Sequence, residues 1–395
     1  MPLQRREILA AGMLALSGCS ALGRTDDASE RISGPSGWES YGRESTHRAS
    51  YAAGSVPSSP PETERSYGLR GSVATSPVAS ETHLVVGDQH GLRLVPFADD
   101  ALARRIETQG RVAATPCLDG ERVYVTTERS HDGTSTAHVS AMSESAGTLW
   151  ETPLSAGSVP MPTLGDGGLF VRSADAYLAL DADSGEVRWR NANADHMSAD
   201  DFLAFENVGP AVGSDLVVFP DAAGITAVDP ADGSVRWRRT LRKVRSCPTI
   251  ADGTVYVSDV RSGVHAFDAA TGDREWTWRA TGCWSPPAVA HDRVYVTDPD
   301  DVVALDVRTG DVAWRMGEHG LHGSVHSGIS VVGDMVLASS RGFGLASVRT
   351  EQSDGDAGTI AWSLAGDGFN TPIAVGDRIA FVDYVGDEPS LRVLQ

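Results

Sequence analysis

The stretch Pro248-Thr249-Ile250-Ala251-Asp252-Gly253-Thr254-Val255-Tyr256-Val257 returns almost position for position as Pro287-Ala288-Val289-Ala290-His291-Asp292-Arg293-Val294-Tyr295-Val296. The likeness continues downstream. Val264-His265-Ala266-Phe267-Asp268, Thr271-Gly272 and Trp276 in the first copy answer Val303-Ala304-Leu305-Asp306, Thr309-Gly310 and Trp314 in the second. Further copies start at Pro77, Pro116, Pro162, Pro210 and Pro372, and a degenerate one near Gly328 has lost its Pro. Eight starts spaced by about forty residues have the period of propeller blades.

Each copy contains four strand-like pieces. Pro stands at the entry of the first, where no ladder bond is needed. The second alternates, as in Val255-Tyr256-Val257. The third ends in Asp181, Asp229, Asp268 or Asp306, whose carboxylates suit a turn by accepting backbone amides. Gly185, Gly233, Gly272 and Gly310 follow, where positive φ closes a tight hairpin. The fourth carries Trp150, Trp189, Trp237, Trp276, Trp314 or Trp362. One blade cannot bury both faces, but a ring of blades can. The indoles are therefore read as packing residues between neighbouring sheets, with no chemical role. The fold expected is all-β: an eight-bladed propeller of four-stranded antiparallel blades.

Closure is legible as well. The last copy ends after a third strand, and Ser66-Tyr67-Gly68-Leu69 precedes the first copy. The N-terminal strand is expected to complete the eighth blade, with Tyr67 in the Trp position. The first copy is expected to run out in a loop around residues 97–105, without a Trp.

The N-terminus reads as a targeting segment. Arg5-Arg6 followed by a short apolar run resembles a twin-arginine export signal. Leu16-Ser17-Gly18-Cys19 resembles a lipobox, in which Cys19 carries the lipid. An ordinary signal peptide or short membrane helix is the alternative, but the apolar run is too short to span a bilayer. The expected organisation is a signal peptide over 1–19, a flexible tether over 20–63 rich in Ser, Gly and Pro, and the propeller over 64–395. Export and anchoring place it outside the cytoplasmic membrane.

The formal net charge of −20 argues against a nucleic-acid partner. Lys243 is the only lysine among 33 basic residues. Such Asp-rich, Lys-poor composition resembles that of proteins from extreme halophiles; a merely acidic soluble surface is the other reading.

The Asp, Thr/Ser-Gly and Trp pattern resembles the PQQ-like β-propeller repeat over residues 64–395, and Trp38-Glu39-Ser40-Tyr41 resembles the Trp-led segment ahead of such propellers. That resemblance implies one of two groups: quinoprotein dehydrogenases, or non-catalytic lipoprotein scaffolds of the BamB type. The enzymes carry a Ca²⁺ site of Glu, Asn and Asp, a catalytic Asp and often two adjacent cysteines, and they are longer. No adjacent pair exists among Cys117, Cys247 and Cys283, which are read as buried free thiols, with a Cys247–Cys283 disulfide as the alternative. No nucleophile elbow or phosphate loop is present either. The expectation is therefore no catalytic residue, no PQQ and no Ca²⁺.

A binding scaffold is favoured, with a small-molecule or metal-binding protein as a further alternative. Loops joining the fourth strand of one blade to the first of the next emerge on one face. There the candidate residues are Asp195, His196, Asp200 and Asp201 on the longest loop, Arg242 and Lys243, Trp284, and His319, His322 and His326. The three histidines have a suggestive spacing for zinc, but they lie on a Gly-rich loop without nearby cysteine, so no metal is expected. The partners expected are membrane lipid through Cys19 and an unidentified protein on that face. A monomer is expected.

Overall fold

The computed structural model describes residues 38–71, 75–97, 102–112, 114–132, 134–155, 160–166, 168–192, 194, 208–221, 223–299, 301–316, 328–340, 344–350, 357–368, 370–385 and 388–395. Among these, every regular element is a strand. The strands form eight sheets, each built on a consecutive antiparallel meander. Blades 1 to 7 cover 78–107, 111–154, 163–191, 211–240, 249–278, 288–315 and 329–364 in chain order. Blade 8 combines Ile373–Val375, Arg378–Val385 and Glu388–Leu394 with the N-terminal strand Thr63–Gly68.

The repeat chemistry explains the blades. Asp181 Oδ1 accepts the amides of Asp183 and Ser184 at 3.1 and 2.9 Å. Asp268 and Asp306 accept the amides of Thr271 and of Arg308 and Thr309 in the same way. These bonds hold the carboxylates of Asp181 and Asp268 below the ordinary range. The indoles lock blade to blade. Trp150, Trp189, Trp237 and Trp276 donate through Nε1 to carbonyls of Ala182, Pro230, Ala269 and Val307 in the following blade, at 2.8–3.0 Å. The turn glycine of that blade lies flat on the indole. A Cβ on Gly272 would come within 2.6 Å of Trp237 Cδ2.

Closure follows the expected strand but not the expected residue. Thr63 pairs with Leu394 and Arg65 with Val393, leaving Glu64 as a bulge. In blade 4 the bulge falls between Val235 and Trp237, with Trp237 opposite Ala227. Arg65, not Tyr67, therefore holds the Trp position. Counting back from the proline misplaced it, because the loops between blades differ in length. Tyr67 instead packs beneath Arg93, on the side of blade 1. Blade 1 also departs from expectation: Arg104–Glu107 is a genuine fourth strand, and Arg104 stands opposite Leu94 where blades 2 to 6 set Trp opposite Ala.

A larger correction concerns the tether. Residues 38–62 are part of the body. Trp38 is 1% exposed and His47 is fully buried. This segment forms a strap along the inner strands. Trp38 exchanges backbone bonds with Ala79 in blade 1, and Glu39 O accepts Leu118 N in blade 2. Ser45, Thr46, Arg48 and Ala49 then supply carbonyls to Val212, Ile250, Val289 and Val331 in blades 4 to 7. Ser50–Tyr51 runs parallel to Ile329–Val332 as a fifth strand of blade 7. Pro57 O accepts Trp362 Nε1, standing in for the turn carbonyl that blade 8 cannot supply. Glu62 and Gln395 exchange backbone bonds at 3.1 Å, so the ends of the ring meet there.

A paired test isolates the glycine contact. Gly272 (φ 70°) meets Trp237, whereas Gly253 (φ 82°) has nothing within 4 Å of an added Cβ. Gly253→Ala should cost about 1 kcal/mol from backbone strain alone, and Gly272→Ala about 2–4 kcal/mol, since the indole must also shift. Urea unfolding at equal m-value would read the difference; equal losses would refute the contact argument.

Candidate functional site

The loops that enter each blade and the turns between its second and third strands occupy one face. Their backbones are bonded together: Gln89 N to Arg70 O, Leu241 N to Ala223 O, Val260 N to Lys243 O, Gly282 N to Val260 O, and Tyr384 N to Asp367 O. The strap contacts lie at the opposite ends of the inner strands, beside the first hairpin of each blade. The ring thus has a strapped end and a looped end. Arg242, Lys243 and Trp284 stand at the looped end, with Arg242 exposed and the other two half-buried. Arg5, Arg6 and Cys19 lie outside the described residues. So do Asp195, His196, Asp200 and Asp201, and likewise His319, His322 and His326.

Buried carboxylates fix the looped face. Asp259, at the end of the second strand of blade 5, is wholly inaccessible. It accepts amides of Arg242 (2.6 Å), Lys243 (3.2 Å), Arg261 (2.8 Å) and Ser262 (3.2 Å). Burial works to raise its pKa, but these bonds win and the carboxyl sits below the usual range. Asp88 holds the amides of Arg70 and His90 and pairs with Arg105. Asp383 holds Asp367 N at 2.8 Å and pairs with Arg392. Each of these carboxylates ties down the loop that enters its own blade.

Blade 4 uses the equivalent position differently. Asp221 is 3% exposed and takes Arg172, 1% exposed, across the blade 3–blade 4 seam at 2.8 Å, together with Tyr177 Oη and Thr226 Oγ1. A fully paired buried ion pair specifies how two sheets dock more than it adds stability. The repeat pattern contained the signal for these residues, since each follows the alternating second strand.

No vicinal thiol pair of the kind that packs on a quinone is present among the described residues. The three thiols are free, buried and on separate elements. Burial pushes each up to about 12, far from a reactive thiolate. No group of three or more His, Cys, Asp or Glu converges for a metal among the described residues. The axis is lined instead by small groups bonded from blade to blade: Ser76 N to Thr115 Oγ1, Thr371 N to Ser76 Oγ, and Gly209 N to Cys247 Sγ. Tyr41 Oη and His47 Nδ1 of the strap join this ring at Thr371 and Pro248.

A family model described as outer membrane protein assembly factor BamB matches residues 28–316 and 225–387. The chain belongs to this family. Within the fold, BamB from Moraxella catarrhalis is similar at 16% identity and TM-score 0.65, over 85% of this chain and 97% of that one. The quinohemoprotein alcohol dehydrogenase ADHIIG from Pseudomonas putida HK5 gives 12% identity and TM-score 0.70 over 91% and 80%. The quinohemoprotein alcohol dehydrogenase from Comamonas testosteroni gives 11% and 0.69 over 93% and 81%. Identities this low establish the shared propeller. Comparison with curated protein sequences returned no match. For a BamB-family chain, matching from residue 28 onward also agrees with a strap that is integral to the ring.

Acid should loosen the looped face. His265 lies between Ser262 Oγ and Thr277 Oγ1, against Phe267. Burial, reinforced by Arg274, lowers its pKa to about 4. The unfolded chain takes up that proton near 6.5, so it binds more protons than the native state between the two values. Stability should fall as pH drops from about 6.5 to about 4. Glu39, raised to about 7 by burial with Asp119 and Glu81 nearby, acts oppositely, losing stability as pH rises from 4.5. His265→Gln against its parent isolates the first effect: its unfolding free energy should vary less over that window. An unchanged slope would refute the assignment.

Proposed function

We propose that this protein is a non-enzymatic scaffold, anchored through a lipid on Cys19 outside the cytoplasmic membrane. It engages a protein partner through the looped face. The observation that carries this reading is the asymmetry of the ring. One end is occupied by the strap from Trp38 to Tyr51, and at the other, buried Asp88, Asp259 and Asp383 hold loops in fixed positions. Loops whose backbone is already fixed lose less conformational freedom when a partner docks on them. The BamB family supports the scaffold class, and a signal peptide over 1–19 agrees with export. The Lys-poor composition supports work at high salt, where exposed carboxylates hold water and cations.

Photo-crosslinkers at Arg242 and Trp284, in native membranes, should capture one defined protein. The same probe at Glu186, on an outer-strand turn, should capture none. Cys19→Ser should release the protein from the membrane fraction. Capture from neither position, with turnover of an alcohol in the presence of PQQ and Ca²⁺, would overturn the scaffold reading in favour of the quinoprotein one. The high-salt reading is checked separately: Tm should rise from about 0.1 to about 2 M KCl, through screening of like charges. A flat or falling Tm would dismiss it.

A further inference from the structure

One segment breaks the charge pattern of the whole molecule. Between Asp232 and Asp252 there is no acidic residue, and residues 236–245 carry Arg236, Arg238, Arg239, Arg242, Lys243 and Arg245. This in a chain of net charge −20, and the only lysine falls inside it. The fold brings two more cations alongside. Val260 N bonds to Lys243 O, and Gly282 N bonds to Val260 O. Arg261 and Arg279 flank those positions on the neighbouring turn and loop, and Arg242, Arg261 and Arg279 are all exposed.

Their counter-charge is already committed. Asp259 lies beneath them, inaccessible to solvent, with its oxygens taken by four backbone amides. Most described arginines are paired, such as Arg111 with Glu128, Arg129 with Glu151, Arg315 with Asp298 and Arg378 with Glu64, and within this run Arg236 pairs with Asp229 and Arg239 with Asp273. Arg242, Lys243, Arg261 and Arg279 make no side-chain hydrogen bond or ion pair among the described residues. Half-buried Trp284 follows on the same loop as Arg279.

We propose that this cationic edge of blades 4 and 5 is the docking site for an acidic segment of a protein partner, with Trp284 receiving an apolar side chain of that segment. This rests on the scaffold reading and names its contact. Guanidinium groups held on fixed loops match carboxylates in a bidentate way. A short segment senses only the cations it touches, because salt screens the rest of the surface beyond about 10 Å at 0.1 M and beyond about 3 Å at 1 M. An extended polyanion, such as a nucleic acid or an anionic bilayer, would also meet the net negative charge of the remaining molecule.

The test uses a fluorescent decapeptide alternating Glu with Leu and Phe, its Lys-for-Glu counterpart, phosphatidylglycerol vesicles and an oligothymidine. The acidic peptide should bind saturably, and the other three should not. A combined Arg242→Gln, Lys243→Gln, Arg261→Gln variant should lose at least tenfold in affinity while keeping the parental Tm, since it removes the charges without setting new carboxylates over Asp259. Trp284 emission should shift on binding in the parent. Equal binding by the variant, or binding of vesicles or oligothymidine instead, would overturn the proposal. The crosslinked partner separates the two levels. If the triple variant still captures it, the acidic-segment site is wrong and the scaffold stands. If the parent captures nothing, the scaffold itself fails.

Discussion

The ring depends on how the inner edges of eight sheets are satisfied. A propeller protects its blade faces by stacking them, but each innermost strand still presents unpaired amides to the axis. Here one segment, Trp38 to Tyr51, folded on itself by turns at Gly42–Arg43 and His47, answers that need for six of the eight blades. It gives carbonyls to Leu118, Val212, Ile250, Val289 and Val331 in turn and exchanges bonds with Ala79. Its side chains are spent in the same way, with Tyr41 on Thr371 and His47 on Pro248. Once that end is fixed, the first strands cannot shift in register, and every outward layer inherits their positions.

The outer layers add a second lock of another kind. Trp150, Trp189, Trp237 and Trp276 each bridge to a carbonyl of the next blade, and a turn glycine of that blade lies flat against each. The two blades without Trp place arginine at the same register, Arg65 and Arg104. Arg65 reaches Glu64, and Arg104 reaches Glu144 of blade 2. Exposed ion pairs of this sort contribute little compared with a buried indole. The seam where blades 8 and 1 meet is therefore held chiefly by the strap and by the core around Trp38, Leu84 and Val393.

Repetition made the fold legible and also set the limit of what was legible. Positions that recur, such as Trp237 and Asp268, announce themselves because each copy faces the same packing problem. The strap occurs once, so no copy exists against which to read it, and its Ser, Gly and Arg content imitates a linker. Tyr67 lies two residues beyond the Trp register for a related reason: spacing from a proline assumes constant loops, whereas pairing register does not. At the looped face, Arg242, Lys243 and Trp284 could be placed from topology alone. Asp259, which positions the first two, is invisible to any scan for exposed chemistry because it is wholly buried. Arg261 and Arg279 join the site only through the bonds of Val260, a relation that sequence order does not express.

The meeting of Glu62 with Gln395 has a consequence for how the molecule comes to exist. Arg392 bonds Thr63 across 329 residues of chain. Bringing together ends so far apart carries a loop-closure entropy of about 5 kcal/mol, recovered only when blade 8 forms. A nascent chain can assemble blades one after another as they are made, yet the eighth lacks its third strand until Glu388–Leu394 is available. Ring closure is thus a late and slow event, of the kind expected for contacts of very long sequence separation. Until then the flank of blade 1 and the edge of blade 7 stand open, which makes the interval before closure the stage most exposed to mispairing between chains.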